Sequence, residues 1–509
     1  MIAAKQTNNK LVITGVMLGL LFASLDQTIV STALPTIVGD LGGLAFYSWV
    51  IAVYMLTESI GIPIFGKLSD LFDRKKIYLI GLGFFVVGSI LCGLAQDIVF
   101  LIVARGIQGI GAGALMPLAF TMVADILPIE KRAKVQGLLG STFMISSIIG
   151  PAIGGILTET FSWHWIFFIN IPIAVLAASF IWMGYHETNE KQHPSIDWWG
   201  AVTLSLGIIA VLLTTILTGG EGGGEAAYSW KSPFVLTLLG IGLVLIGLFI
   251  WIETRAKEPI LPLSLFKNKM VSILSIISFF MGLGMFGAIS FLPLYLQNVQ
   301  GLSATTSGYL LMPMMIGAMV SGILAGFILP KLSYRLILMG SLSIMVIGFI
   351  LFSTITAHSS LWNVSIYAGV LGIGMGILMP ALNTLTQELV PKNQIGTATS
   401  SVNLFRSLGA TIGISVLGAV LNTRVSNGLE TLINQNIEFK PILSENIQQI
   451  ITSKGVLPQG IYNQIVTLFV DGIHAVFLTS CGLLLVSLVV AFFAGKGKLS
   501  NKEHLESRN

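Results

Sequence analysis

The chain has 509 residues, of which 54% are hydrophobic and only 10% are Asp, Glu, Lys or Arg, with a formal net charge of +4. Soluble domains carry about 25% charged residues, so a chain of this length and a mean hydropathy of +0.87 cannot cover a water-facing surface. The two cysteines, Cys92 and Cys481, lie in separate apolar runs and provide neither metal-ligand spacing nor a disulfide framework.

Apolar runs begin at the N-terminus. The first, 11–34, contains Asp26 and exceeds the length of a signal-peptide core, so it reads as a retained first helix. Thirteen more follow, at 46–65, 77–95, 98–117, 135–158, 165–184, 198–218, 233–252, 271–297, 306–328, 335–355, 362–382, 397–421 and 472–494. Each is close to the roughly 20 residues that a helix needs to cross about 30 Å of hydrocarbon; a membrane strand would need only about 10, with alternation. Segment 422–471 stands apart: it is polar and rich in Asn and Gln, and is expected to be an external cap or spacer with room for short amphipathic helices.

Basic residues set the orientation. With the N-terminus inside, 21 of the 27 Lys and Arg fall in inside segments, whereas the short outside loops hold only Lys231. This imbalance places both termini on the cytoplasmic side and requires an even number of spans. Because the basic residues sit in these loops, the positive charge does not indicate nucleic-acid binding.

A repeat organises the spans. Gly109-Ile-Gly-Ala-Gly-Ala-Leu-Met-Pro117 recurs as Gly372-Ile-Gly-Met-Gly-Ile-Leu-Met-Pro380, with seven of nine positions identical. The same offset of 263 pairs Thr121 with Thr384, Asp125 with Glu388, Pro128 with Pro391 and Gly150 with Gly413. Spans 4 and 5 therefore echo spans 12 and 13 with the same direction of crossing, which describes two parallel six-helix halves. The expected organisation is an N-terminal bundle at 1–190, an inserted pair of helices at 191–258, and a C-terminal bundle at 259–509 that carries the external segment 422–471. The fold class is all-α membrane protein. Two halves that rock about a midplane cavity suit alternating access.

The glycines repeat but the charges do not. Asp26, Glu58 and Arg105 lie in the first half, and Arg406 in the second answers to Phe143. An ionisable group at mid-membrane costs at least about 2.5 kcal/mol and is a functional candidate by default. At 1.5 Å per residue, Asp26 and Arg105 lie about 13 and 12 Å below the same face, so they are expected to form a direct or water-mediated ion pair. Glu58 and Arg406 fall near the midplane. Asp26 and Glu58 are candidates for carrying a proton or attracting a cation; a structural ion pair is the competing reading for Asp26. Gly150, Pro151, Gly154 and Gly155 punctuate span 5 and permit close helix contact or bending.

These residues resemble the major facilitator superfamily, and within it the fourteen-helix drug:proton antiporters of the EmrB/QacA type. Gly66-Lys-Leu-Ser-Asp70-Leu-Phe-Asp73-Arg74-Lys75-Lys76 is similar to the signature loop between helices 2 and 3. Leu25 to Pro35, Leu101 to Gly109 with Arg105 and Gln108, Gly150-Pro151 with Gly154-Gly155, and Trp163 to Asn170 resemble further motifs of that branch. Asp73 stands where the family usually has glycine, and Ser31 where it often has asparagine. The resemblance implies a major facilitator fold of two six-helix bundles plus two inserted helices. It also implies proton-driven efflux, with Gly66, Asp70 and Arg74 in a cytoplasmic gate, Arg105 coupling protonation to substrate, and span 5 serving the exporter bend.

The expected function is a proton-coupled antiporter that exports hydrophobic, often cationic, drugs or toxic compounds across the bacterial cytoplasmic membrane. The expected partners are the lipid bilayer, those substrates and protons, with no nucleic acid and a monomeric chain. No cofactor is expected beyond the proton gradient as energy source, no metal, and no enzymatic activity. The expected pocket comprises Asp26, Tyr54, Glu58, Gln108, Phe143, Met144, Met281, Met285, Phe286, Asn383, Asn403 and Arg406. Met and Phe adapt their shape and polarizable surface to varied apolar ligands. The alternatives are an exporter dedicated to one metabolite, lipid or siderophore, or a non-transporting membrane sensor.

Overall fold

The computed structural model describes residues 7–41, 46–186, 197–219, 228, 231–302, 304–435 and 458–497. In chain order the long helices are α1 (Asn9–Leu41), α2 (Tyr47–Leu71), α3 (Arg74–Gly93), α4 (Ile98–Ile126), α5 (Ile129–Thr160) and α6 (Trp165–Gly184, interrupted at Ile169). Then come α7 (Trp198–Gly219), α8 (Pro233–Glu253), α9 (Lys269–Asn298), α10 (Ala304–Ile328), α11 (Tyr334–Phe352) and α12 (Leu361–Glu388). The last two are α13 (Ile395–Gln435) and α14 (Gln459–Phe492). Among the described residues, 13 helices are long and apolar enough to cross a membrane. The remaining long helix, α5, has 32 residues and packs chiefly on α1 and α10.

Short polar loops start the helices by capping. Asp73 accepts from the backbone N–H groups of Lys75 and Lys76 at the start of α3, and Asp97 accepts from that of Phe100 at the start of α4. Asn268, Ser333 and Ser360 do the same for α9, α11 and α12. Each cap satisfies backbone donors that hydrocarbon would leave unpaired. Asp73 thus has a local task that the glycine it replaces could not perform.

Helix packing repeats. In the first half, α2 packs on α4, α3 on α4, α1 on α5, α1 on α6 and α3 on α6; in the second, α10 packs on α12, α11 on α12, α9 on α13, α9 on α14 and α11 on α14. Buried clusters follow the same division, two drawn from residues of α1–α6 and a large one from residues of α9–α14. Two seams join the halves, α5 against α10 and α2 against α13. The inserted helix α7 lies along the second seam, where Leu204, Ile208 and Leu212 share a buried cluster with Leu56 of α2 and Leu404 of α13. Its partner α8 is only 17% buried over its most apolar stretch.

The segment read as an external loop at 422–471 is largely helical where it is described. Residues 422–435 continue α13, and 459–471 begin α14. The two arms zip together through Val425, Leu432, Ile461, Ile465 and Phe469, and Gly428 admits the side chain of Leu468. Polar residues lowered the apolar signal there while leaving one apolar stripe at helical spacing.

Candidate functional site

Asp26 is fully buried in the first half, and its carboxylate is held by three donors. The Arg105 guanidinium donates to Oδ2 in a direct ion pair. The amides of Gln108 and Asn170 donate to Oδ1 at 2.7 and 2.9 Å, and both also reach the Ser89 hydroxyl. Arg105 donates in addition to the Gln108 carbonyl at 2.7 Å, and its guanidinium stacks 4.1 Å from the centre of the Tyr54 ring. Every member thus has partners, as a buried polar network requires. The direct ion pair expected between α1 and α4 is present.

This enclosure revises the pocket. Asp26 and Gln108 do not line the central cavity; they lie behind Tyr54. The lining of that cavity includes Gln27, Tyr54, Glu58, Met116 and Phe143, and its volume of about 10 Å³ admits the centre of about one water. Glu58 accepts one hydrogen bond here, from the Gln27 amide at 3.1 Å. Arg406 enters from the other half and places Nη2 3.2 Å from the Met116 sulfur. One residue further along each helix, the hydroxyls of Ser59 and Ser407 meet at 2.9 Å. Glu58 and Arg406 therefore face one another across the interface between halves.

Other expected pocket residues are placed elsewhere. Met281 and Met285 are buried in the core of the second half, and between them Gly282 lets α9 approach α13, with the position of a missing Cβ only 2.3 Å from the Arg406 carbonyl. One turn apart, the two methionines share one face of α9. Asn403 donates to the Asn383 side chain at 3.3 Å and to the Thr399 carbonyl at 2.8 Å, forming a buried pair within the second half. The side chains of Met144, Phe286 and Pro151 lie outside the described residues.

A latch closes one end of the interface, on the face that carries the α2–α3 and α4–α5 loops. Asp70 of α2 accepts from the backbone N–H groups of Gly396 and Thr397 at 2.9 and 2.6 Å and from the Thr397 hydroxyl at 2.8 Å. These donors form the first turn of α13, where unpaired N–H groups and the helix dipole favour an anion. Arg74 donates to Asp70 at 3.1 Å and also pairs directly with Asp125. Gly66 is required at its position, since a Cβ there would stand 2.1 Å from the Ser400 hydroxyl of the other half. Along the other seam, Gln136 of α5 donates to Gln387 at 2.9 Å and accepts from Thr384 at 2.8 Å. Beside it, Gly137 lies so close to Gly322 that a Cβ would sit 2.3 Å from its carbonyl oxygen.

The glycines of α5 divide into two groups. Gly150 and Gly154 let α5 approach Thr28 and Ile29 of α1, whereas Gly155 faces open space. Gln27, Ser89, Gln136, Asn170 and Gln387 escaped sequence reasoning because neutral polar residues are common inside helices. Asn170 alone carried a signal, as the end of the Trp163–Asn170 stretch.

Comparison with known proteins adds lineage to this geometry. Residues 16–414 match the family profile described as Major Facilitator Superfamily. The chain is 37% identical to "Multidrug transporter protein MdtP" of Bacillus subtilis (strain 168), covering 98% of this chain and 95% of that protein. It is 36% identical to "Multidrug resistance protein 3" of the same organism, covering 99% of both. Among solved structures, the human organic anion transporter MFSD10 (TETRAN) superposes with a TM-score of 0.65 at 15% identity, covering 96% of this chain and 100% of that one. The proton:xylose symporter XylE superposes with a TM-score of 0.60 at 13% identity, covering 96% of each. At such identities these two likenesses concern the fold.

Proposed function

The chain belongs to the major facilitator superfamily, and from that premise we propose that it is a proton-driven exporter of hydrophobic, often cationic, drugs or toxic compounds across the bacterial cytoplasmic membrane. The latched face is then cytoplasmic, in keeping with the basic residues of its loops. The names of the two Bacillus relatives support the substrate class. Both termini are cytoplasmic on this reading, the chain works as a monomer, and the proton gradient takes the place of any cofactor.

One observation carries the mechanism. Glu58 lines a cavity of the first half that abuts Arg406 of the second, and is held there by a single amide, whereas Asp26 is saturated by Arg105, Gln108 and Asn170. An ionised carboxylate buried away from water is costly, and either a proton or a cationic ligand relieves the cost. Glu58 can exchange one for the other as the cavity changes sides. Asp26 and Arg105 form the rigid wall against which this exchange occurs, with Tyr54 between them and the cavity. Substrate leaves when a proton arrives at Glu58, and the emptied site closes and returns to the other opening.

The test is dye efflux from proteoliposomes under an imposed pH gradient, with and without a protonophore. Wild-type protein is expected to expel a cationic dye only while the gradient persists, and Glu58→Gln to lose that dependence. Gradient-driven efflux retained in both Glu58→Gln and Asp26→Asn would remove carboxylate coupling from consideration.

A further inference from the structure

Glu58 lines the cavity, and a charge of the opposite sign from the other half, Arg406, abuts its wall at Met116. Asp26 and Arg105 neutralise one another behind Tyr54, which leaves Glu58 of α2 and Arg406 of α13. Arg406 reaches Met116, whose side chain lines the cavity together with Glu58, and the Ser59–Ser407 contact holds the two backbones together beside them. The charge of each acts on the other across the interface. Arg406 has no basic counterpart in the first half, where the repeat places Phe143, itself a lining residue of the cavity.

A simple cation drawn to Glu58 meets the guanidinium of Arg406 as a like charge. A ligand bearing an ammonium and a carboxylate at opposite ends of an apolar body satisfies both groups, and its body lies against Leu115, Met116 and Phe143. We propose that this central site is built for zwitterionic amphiphiles, with Glu58 taking the cationic end and Arg406 the anionic end. The proposal rests on the efflux reading above and narrows its substrate class. It also assigns Arg406 a role in specificity: because the two charges lie on different halves, a zwitterion bridges the halves whereas a cation engages only one.

Two forms of one dye test this, a rhodamine ethyl ester, which is a fixed cation, and the same rhodamine hydrolysed to its carboxylate, which is a zwitterion. Efflux of each is measured from proteoliposomes, and equilibrium binding of each to the detergent-solubilised protein. Arg406→Gln is expected to lower the zwitterion-to-cation ratio, in efflux and in affinity, by about tenfold or more, the size of one lost charge-assisted hydrogen bond. Arg406→Lys, which keeps the charge, is expected to restore most of the ratio. An equal loss of both dyes, or an unchanged ratio in the binding measurement, overturns the proposal. Absence of gradient-driven efflux with either dye, accompanied by an Arg406-dependent binding ratio, counts against proton-driven export and leaves the zwitterion site supported.

Discussion

Replacing Asp70 by Asn should unfasten the closed face without unfolding the first half. The carboxylate accepts three hydrogen bonds from Gly396 and Thr397 on the far side of the interface. Hydrogen bonds to a charged group are worth about 1.5–3 kcal/mol each, and a carboxylate at a helix N-terminus adds about 0.3–1 kcal/mol. An asparagine offers one oxygen, and its NH2 turns toward backbone donors that it cannot satisfy. A net loss of roughly 3 kcal/mol follows, which changes the ratio of closed to open forms on the order of 10²-fold. Arg74 keeps Asp125 and the Ser69 carbonyl as partners, so the loss falls on the seam. Spin labels at the exposed positions Lys76 and Lys392, on α3 and beside α13, would report the opening as a second, longer distance in pulsed dipolar measurements. An unchanged distance distribution, with transport also unchanged, would show that Asp70 does not hold the halves together.

The same kind of reasoning sets other expectations. Asp26→Asn strands the buried Arg105 without its counter-charge, a loss of about 3–5 kcal/mol, visible as a lower melting temperature; adding Arg105→Gln should recover part of it, and a single variant as stable as wild type would contradict the network. Gly137→Val drives a side chain into the Gly322 carbonyl across the α5–α10 seam, so transport should cease while the folded protein remains and the Lys76–Lys392 distance lengthens. Normal transport by that variant would mean that the seam never closes this tightly during the cycle.

The architecture was legible because it rests on long-range arithmetic: run length against membrane thickness, and an offset of 263 residues that ties Gly109–Pro117 to Gly372–Pro380. The Asp26–Arg105 pair was legible for a similar reason, since depth along a helix follows from residue count. What could not be read was rotation. The sequence offers Met281, Met285 and Asn383 as pocket candidates, but only packing decides that the first two turn into the core of the second half and that the third pairs with Asn403. Composition likewise left the extent of helix in 422–471 open, where sparse apolar residues at helical spacing suffice because two arms cover one another. The neutral clasp of Gln136 with Gln387 was invisible because nothing in one chain marks which glutamines will meet.

One rod runs through all of these places. Helix α13 has 41 residues, about 62 Å at the usual rise and twice the depth of the oily layer. Its first turn is gripped by Asp70, its middle presents Arg406 to the cavity, and its far end is braced by the start of α14. A swing of about 5° at the gripped end would carry the tip roughly 5 Å at that length. A dye fixed on the protruding tip would act as a pointer needle for each turnover, and an antibody fragment clamped there would stall the pump from the side opposite its latch.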